Sequence, residues 1–131
     1  MSKPTKADAE LSLKLFAIMR SDEEYRKALW WFYEQFDAKS YRAFRKKYPM
    51  GSEGYRNFIV FANYCEVLGA LVNNGLLSLD LAFDMFVVPW EKAEPVVRGI
   101  RKDMKIPRLY ENFEFLGKKF PEWEKKHPLK V

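Results

Sequence analysis

The chain has one cysteine, Cys65, and one histidine, His127, among its 131 residues. A lone cysteine has no intrachain disulfide partner, and Cys65 lies among Tyr64, Val67 and Leu68. It reads as a small buried hydrophobe in a reducing, cytoplasmic compartment. The lone histidine, between Lys126 and Pro128 in what reads as a tail, offers no Ser-His-Asp relay on ordered elements. A di-metal carboxylate site takes a Glu-x-x-His from each of two helices, which one histidine cannot supply, and no cysteine pair with zinc spacing is present, so no metal or other cofactor is expected. Long apolar runs are missing as well. The longest, Phe58 to Val72, is interrupted by Asn63 and Glu66 and falls short of the ~20 residues that cross a bilayer. The amino-terminal MSKPTKADAE is polar, without a hydrophobic region and cleavage site, so neither secretion nor a membrane span is expected. Hairpin signals are also absent: Asn74-Gly75 follows a run that alternates poorly and precedes a helix cap.

What remains is globular. The chain is 48% hydrophobic, 17% aromatic and 31% charged, which predicts one soluble domain spanning residues 1–131 with a core rich in rings. Charge is uneven along it: residues 1–48 carry +4, 49–97 carry −4 and 98–131 carry +5. Oppositely charged segments attract within one fold, so the termini are expected to pack around an acidic centre.

Almost every segment has a helical period, with turn residues where helices should stop. Thr5 and Asp8 open a first helix with a stripe of Leu11, Leu15, Ile18 and Met19. Ser21 with Glu24 reads as a capping box for a second helix, Asp22 to Phe36, burying Tyr25, Ala28, Leu29, Phe32 and Phe36. Asp37 either continues that helix or caps a third that ends at Tyr48. Ser52 caps a fourth helix closed by Gly75, and Ser78 a fifth that Pro89 interrupts. Trp90 to Met104 resumes. Pro107 suits the start of a last helix with Leu109, Phe113, Leu116 and Phe120 inside and Pro121 at its end, leaving 121–131 as a partly ordered basic tail. The predicted fold is an all-α bundle of five to seven helices around a central hydrophobic helix.

That central helix contains NYCEVLGALVNNG, residues 63–75, with Asn63 and Glu66 inside an apolar stretch. A helix apolar over most of its circumference belongs in the middle of a bundle, and a buried carboxylate must be protonated or paired. Arg98 and Arg101, three apart on a later helix, are the expected partners, giving a structural clamp of Asn63, Glu66, Arg98 and Arg101. The alternative is a general base at Glu66, for which no further catalytic residue speaks. Asp80, Asp84 and Glu91 share a face if the helix passes through Pro89, and read as a solvated surface or, failing that, a cation site.

Two further stretches bear on partners. RAFRKKY, residues 42–48, interleaves Arg42, Arg45, Lys46 and Lys47 with aromatics, a pattern that can hold phosphates of nucleic acid or an anionic membrane surface. Phe44 and Tyr48 also align with Tyr41 as an ordinary buried stripe. Trp30 and Trp31 point about 100° apart on a helix, so one must cover a second helix or a partner. The expected role is a non-enzymatic protein-interaction or scaffold module, open to self-association, with nucleic-acid binding as the alternative.

With these motifs placed, "NFIVFANYCEVLGALVNNGLLSLDLAFDMF", then a Trp followed by "PVVRGIR", then "YENFEFL" resembles the helical family described as domain of unknown function DUF4760. The resemblance covers residues 55–120 and assigns no reaction. It implies that Asn63, Glu66, Gly75 and Arg101 are framework positions. Many proteins of that kind look tethered to a membrane at the amino end, a feature not expected here.

Overall fold

Five helices begin where a short polar side chain takes over a free backbone amide. The computed structural model describes residues 3–130, which form seven helices and no strand. In α1 (Lys6–Ser21) the Thr5 hydroxyl accepts from the Asp8 amide at 3.1 Å, and the Asp8 carboxylate accepts from the Thr5 amide at 2.7 Å. This is a complete capping box. Asp22, Ser40, Ser52 and Ser78 cap α2 (Glu23–Glu34), α3 (Tyr41–Lys47), α4 (Glu53–Asn73) and α5 (Leu79–Met85). Such a cap is worth ~1 kcal/mol against alanine. Gly75, at φ 73°, supplies the left-handed residue that lets the chain leave α4. α6 (Trp90–Met104) and α7 (Glu111–Lys126) start without a side-chain cap.

The central helix is α4. It packs on α2 along one side and on α7 along another. Phe32, Phe44, Phe58, Phe61 and Phe113 are buried to 1% exposure or less. Their rings meet edge-on or offset: Phe32 and Phe61 lie 4.4 Å apart, Phe44 and Phe58 5.2 Å. Each such pair adds ~0.5–1.5 kcal/mol beyond the area it buries. A smaller cluster of Leu68, Leu77, Ala82, Phe83, Phe86 and Leu116 fills the other end. Cys65 is buried within the first cluster, and burial pushes its thiol well above the usual range.

Several expectations shift. The cap of α2 is Asp22, which accepts from the amides of Glu24 and Tyr25; Ser21 stays in α1 and donates to the Ile18 carbonyl instead. A carboxylate at this position answers the same free amides as a hydroxyl and adds charge against the helix dipole. Ile18 is 55% exposed, and the small Ser12 is the fully buried residue of α1. Asp37 neither continues α2 nor caps α3. Pro107 sits in a turn ahead of α7.

Pro121 does not end α7, which continues to Lys126, so the expected tail at 121–131 is largely the last turns of a helix. The missing proline bond is offset by Trp123: its ring packs on Phe83 at 5.2 Å and its indole N–H donates to Asp80 at 2.8 Å. Residues 1, 2 and 131 lie outside the described set. Among the described residues no helix is long and apolar enough to cross a membrane.

Candidate functional site

The polar pair in α4 receives the start of α7. Asn63 and Glu66 are three residues apart and share a helix face. The Asn63 Oδ1 accepts from the Tyr110 hydroxyl at 2.9 Å. Glu66 Oε1 accepts from the backbone amides of Asn112 and Phe113 at 3.0 and 2.9 Å, and Oε2 from the Asn112 side-chain amide at 2.8 Å. Glu66 thus supplies from α4 the cap that α7 lacks in its own sequence. A carboxylate facing the first amides of a helix gains both charge-assisted bonds and the dipole.

Two backbone features make this contact close. Tyr110 adopts the left-handed region at φ 58°, an unfavourable conformation for a bulky residue, held by its burial and its bond to Asn63. Gly69 lies against the turn: a Cβ there would stand 2.1 Å from the Asn112 carbonyl oxygen. Only a residue without a side chain lets α4 approach the start of α7 this nearly.

The expected guanidinium partners go elsewhere. Arg101 Nη1 pairs with Glu114 at 2.8 Å, its Nε donates to the Leu109 carbonyl, and its guanidinium carbon lies 5.8 Å from the Trp90 ring. Arg98 binds Glu94 at 2.5 Å and Glu114 at 3.4 Å. These contacts join α6 to α7, so the four polar residues form two neighbouring clasps on α7 instead of one. Backbone amides took the place of the arginines, because a helix N-terminus satisfies a carboxylate without a counter-charge. The hydrogen bond from Lys118, then that from Arg101, holds the Glu114 carboxyl below the usual range.

Among the four basic residues of α3, Arg45 is engaged: its Nη1 donates to Asp103 at 2.8 Å and to the Tyr41 hydroxyl at 3.0 Å. Arg42, Lys46 and Lys47 are exposed. The acids Asp80, Asp84 and Glu91 do not share one helix, since α5 ends before Pro89. Asp80 instead holds Trp123 and lies 3.4 Å from His127, whose ring stacks on Trp123 at 4.3 Å. Among the described residues no group of three or more His, Cys, Asp and Glu is placed to hold a metal ion.

The adjacent tryptophans separate. Trp31 is 7% exposed, against Phe36 at 5.4 Å and Tyr48 at 5.2 Å, so the interface expected to include it loses that residue's ring to the core. Trp30 is 66% exposed. Below it, between the end of α2 and the start of α4, lies a cleft of about 630 Å³ that Asn57 also lines. Sequence reading passed over Asn57, which sits on the buried side of α4 with 6% exposure. Its signal was an amide among Tyr55, Phe58 and Phe61. A second cleft, about 750 Å³, lies where α1 begins beside the α4–α5 turn and α7, with Leu77, Phe115 and Trp123 in its walls.

No curated protein and no solved structure matches the chain. A family model does: that described as Domain of unknown function (DUF4760) matches residues 4–120. The match extends beyond the α4–α7 stretch to take in α1, α2 and α3. Covering most of the chain, it shows that this protein belongs to the DUF4760 family.

Proposed function

We propose that the protein is a non-enzymatic helical interaction or scaffold module, working in a reducing, cytoplasmic setting, whose contact surface is the outer edge of α2 around Trp30. One observation carries the reading: the Trp30 ring is 66% exposed on a helix otherwise fastened into the core by Tyr25, Ala28, Trp31 and Phe32. An aromatic side chain of this kind buries ~150–250 Å² on contact, and tryptophan is favoured where binding energy concentrates. The non-enzymatic side is supported by Glu66, whose two oxygens are both occupied in holding α7. Cys65, 4% exposed with no second cysteine in the chain, suits a reducing compartment.

A second copy of the chain can use the same edge. Sedimentation across micromolar concentrations tests this, with species heavier than 15.6 kDa expected for the wild type and reversal to that mass for Trp30→Ala. A 15.6 kDa species at every concentration rules out self-association there. A second reading, nucleic-acid binding, rests on the exposed Arg42, Lys46 and Lys47 of α3. Retention of random DNA or RNA that falls steeply with salt favours it; absence of retention at moderate salt leaves the interaction module.

A further inference from the structure

We infer that the cleft bounded by the start of α1, the α4–α5 turn and one face of α7 binds a small amphipathic carboxylate, an aliphatic chain ended by a single free acid group. The proposal goes beyond the reading of the Trp30 edge and does not depend on it.

Shape and lining come first. The cleft has a volume of about 750 Å³, inside the ~300–1,000 Å³ usual for small-molecule sites. Phe115, Lys119, Glu122, Trp123 and Lys126 recur at helical spacing, so one face of α7 forms a wall. Val72, Leu77 and Leu79 supply apolar surface between the end of α4 and the start of α5. Leu76 lines the cleft too and is 61% exposed, a large apolar side chain that the fold itself leaves uncovered. Gly75 keeps the turn open: no atom comes within 4 Å of the place a Cβ would take. An aliphatic chain laid along these side chains removes them from water.

Charge decides which end group that chain carries. Both carboxylates of the lining are engaged. Asp8 accepts from the Thr5 amide at 2.7 Å and from the Ser78 amide at 3.1 Å, and Glu122 accepts from Lys126 at 3.1 Å. His127 lies 3.4 Å from Asp80. Lys119 remains. It makes no hydrogen bond or ion pair among the described residues, and its Nζ stands 5.3 Å from the centre of the Phe115 ring, over apolar wall. A cationic ligand would find no open carboxylate here, whereas an acid group would meet Lys119 while its chain lies against Phe115. No arginine lines the cleft. One free ammonium without a guanidinium fork matches a single negative charge better than a phosphate dianion, which asks for more donors.

The test is a titration of the full chain with decanoate, followed by calorimetry and by NMR of methyl and indole signals. Saturable binding is expected, with shifts at the Leu77 and Leu79 methyls and the Trp123 indole N–H. Hexanoate, with the same acid and a shorter chain, should bind at least about tenfold more weakly, because each methylene adds buried surface. Decylammonium, with a decyl chain and the opposite charge, should be weaker by a similar factor. Lys119→Glu should weaken decanoate about fivefold, and Ala7→Trp, which puts a ring into the cleft, should abolish binding. Both substitutions are at exposed helix positions that leave the core intact. No saturation at millimolar decanoate, equal binding of decylammonium, or full affinity in Lys119→Glu or Ala7→Trp each overturns the proposal. So do shifts spread over the exposed Leu13 and Ile18 of α1 instead of the cleft, the mark of non-specific adsorption.

Discussion

Replacing Glu66 by glutamine changes one oxygen into an amide and removes one charge, and the consequences can be worked atom by atom. The retained carbonyl can still accept from the amides of Asn112 and Phe113. The new NH₂ then faces the Asn112 side-chain NH₂, donor against donor, where Oε2 had accepted at 2.8 Å. Asn112 can turn its carboxamide over only by withdrawing the oxygen that accepts from Asn73 at 2.9 Å. One charge-assisted bond, ~1.5–3 kcal/mol, is therefore lost along with ~0.3–1 kcal/mol of charge against the α7 dipole. The sum is about 2–4 kcal/mol, a fall in melting temperature on the order of 10 °C for a chain of this size. Urea melts provide the assay, with the midpoint moving and the slope unchanged. A double-mutant cycle with Asn112→Ala should give clear coupling, and a cycle with Arg101→Met a coupling under about 0.5 kcal/mol. An unmoved midpoint, or strong coupling to Arg101 with none to Asn112, refutes the capping account.

Three further outcomes follow from the same geometry. Gly69→Ala drives a methyl group to 2.1 Å from the Asn112 carbonyl, and should lower stability by ~1–3 kcal/mol in the same melts, more than alanine would cost at an open helix position. Glu114 is held below the usual carboxylate range in the folded state, by Lys118 first and Arg101 after it, so its contribution is present above the unfolded value of about 4.3 and is lost as pH falls through the folded one. Glu114→Gln should make the acid limb of stability against pH shallower, and an unchanged limb counts against the clasp. The Cys65 thiol, raised by burial, should react with a disulfide reagent only in denaturant; rapid reaction of the native protein would contradict its burial.

The fold was largely legible because helices announce themselves in period and caps. Thr5, Ser52 and Ser78 are small oxygen-bearing residues ahead of apolar stripes, and each caps the helix expected of it. Errors arose where two such residues adjoin, as at Ser21 and Asp22, and where packing outweighed a local rule. Pro121 is a helix breaker by its own chemistry, yet Trp123 bonded to Asp80 and packed on Phe83 keeps the chain helical past it. The site was half legible. That Glu66 required a partner followed from its surroundings; which partner did not. Side-chain charges can be read from a sequence, so the arginines were the visible candidates. The amides of Asn112 and Phe113 belong to the backbone and become a site only once Tyr110 turns left-handed and Gly69 admits the approach.

The two tryptophans extend this to the surface. Successive helix positions cannot both face inward, so a Trp-Trp pair on α2 commits one ring to the core and sends the other outward unless another helix covers it. Along α4, the sides are taken by α7, through Glu66 and Gly69, and by α2 itself. α3 is held to α6, with the Tyr41 hydroxyl donating to Asp103 at 2.6 Å and Arg45 bound to the same carboxylate. Among the described residues no helix covers Trp30, which stays exposed. Its exposure is thus a result of how the other contacts are satisfied, and it leaves the ring free for the contact surface proposed at this edge.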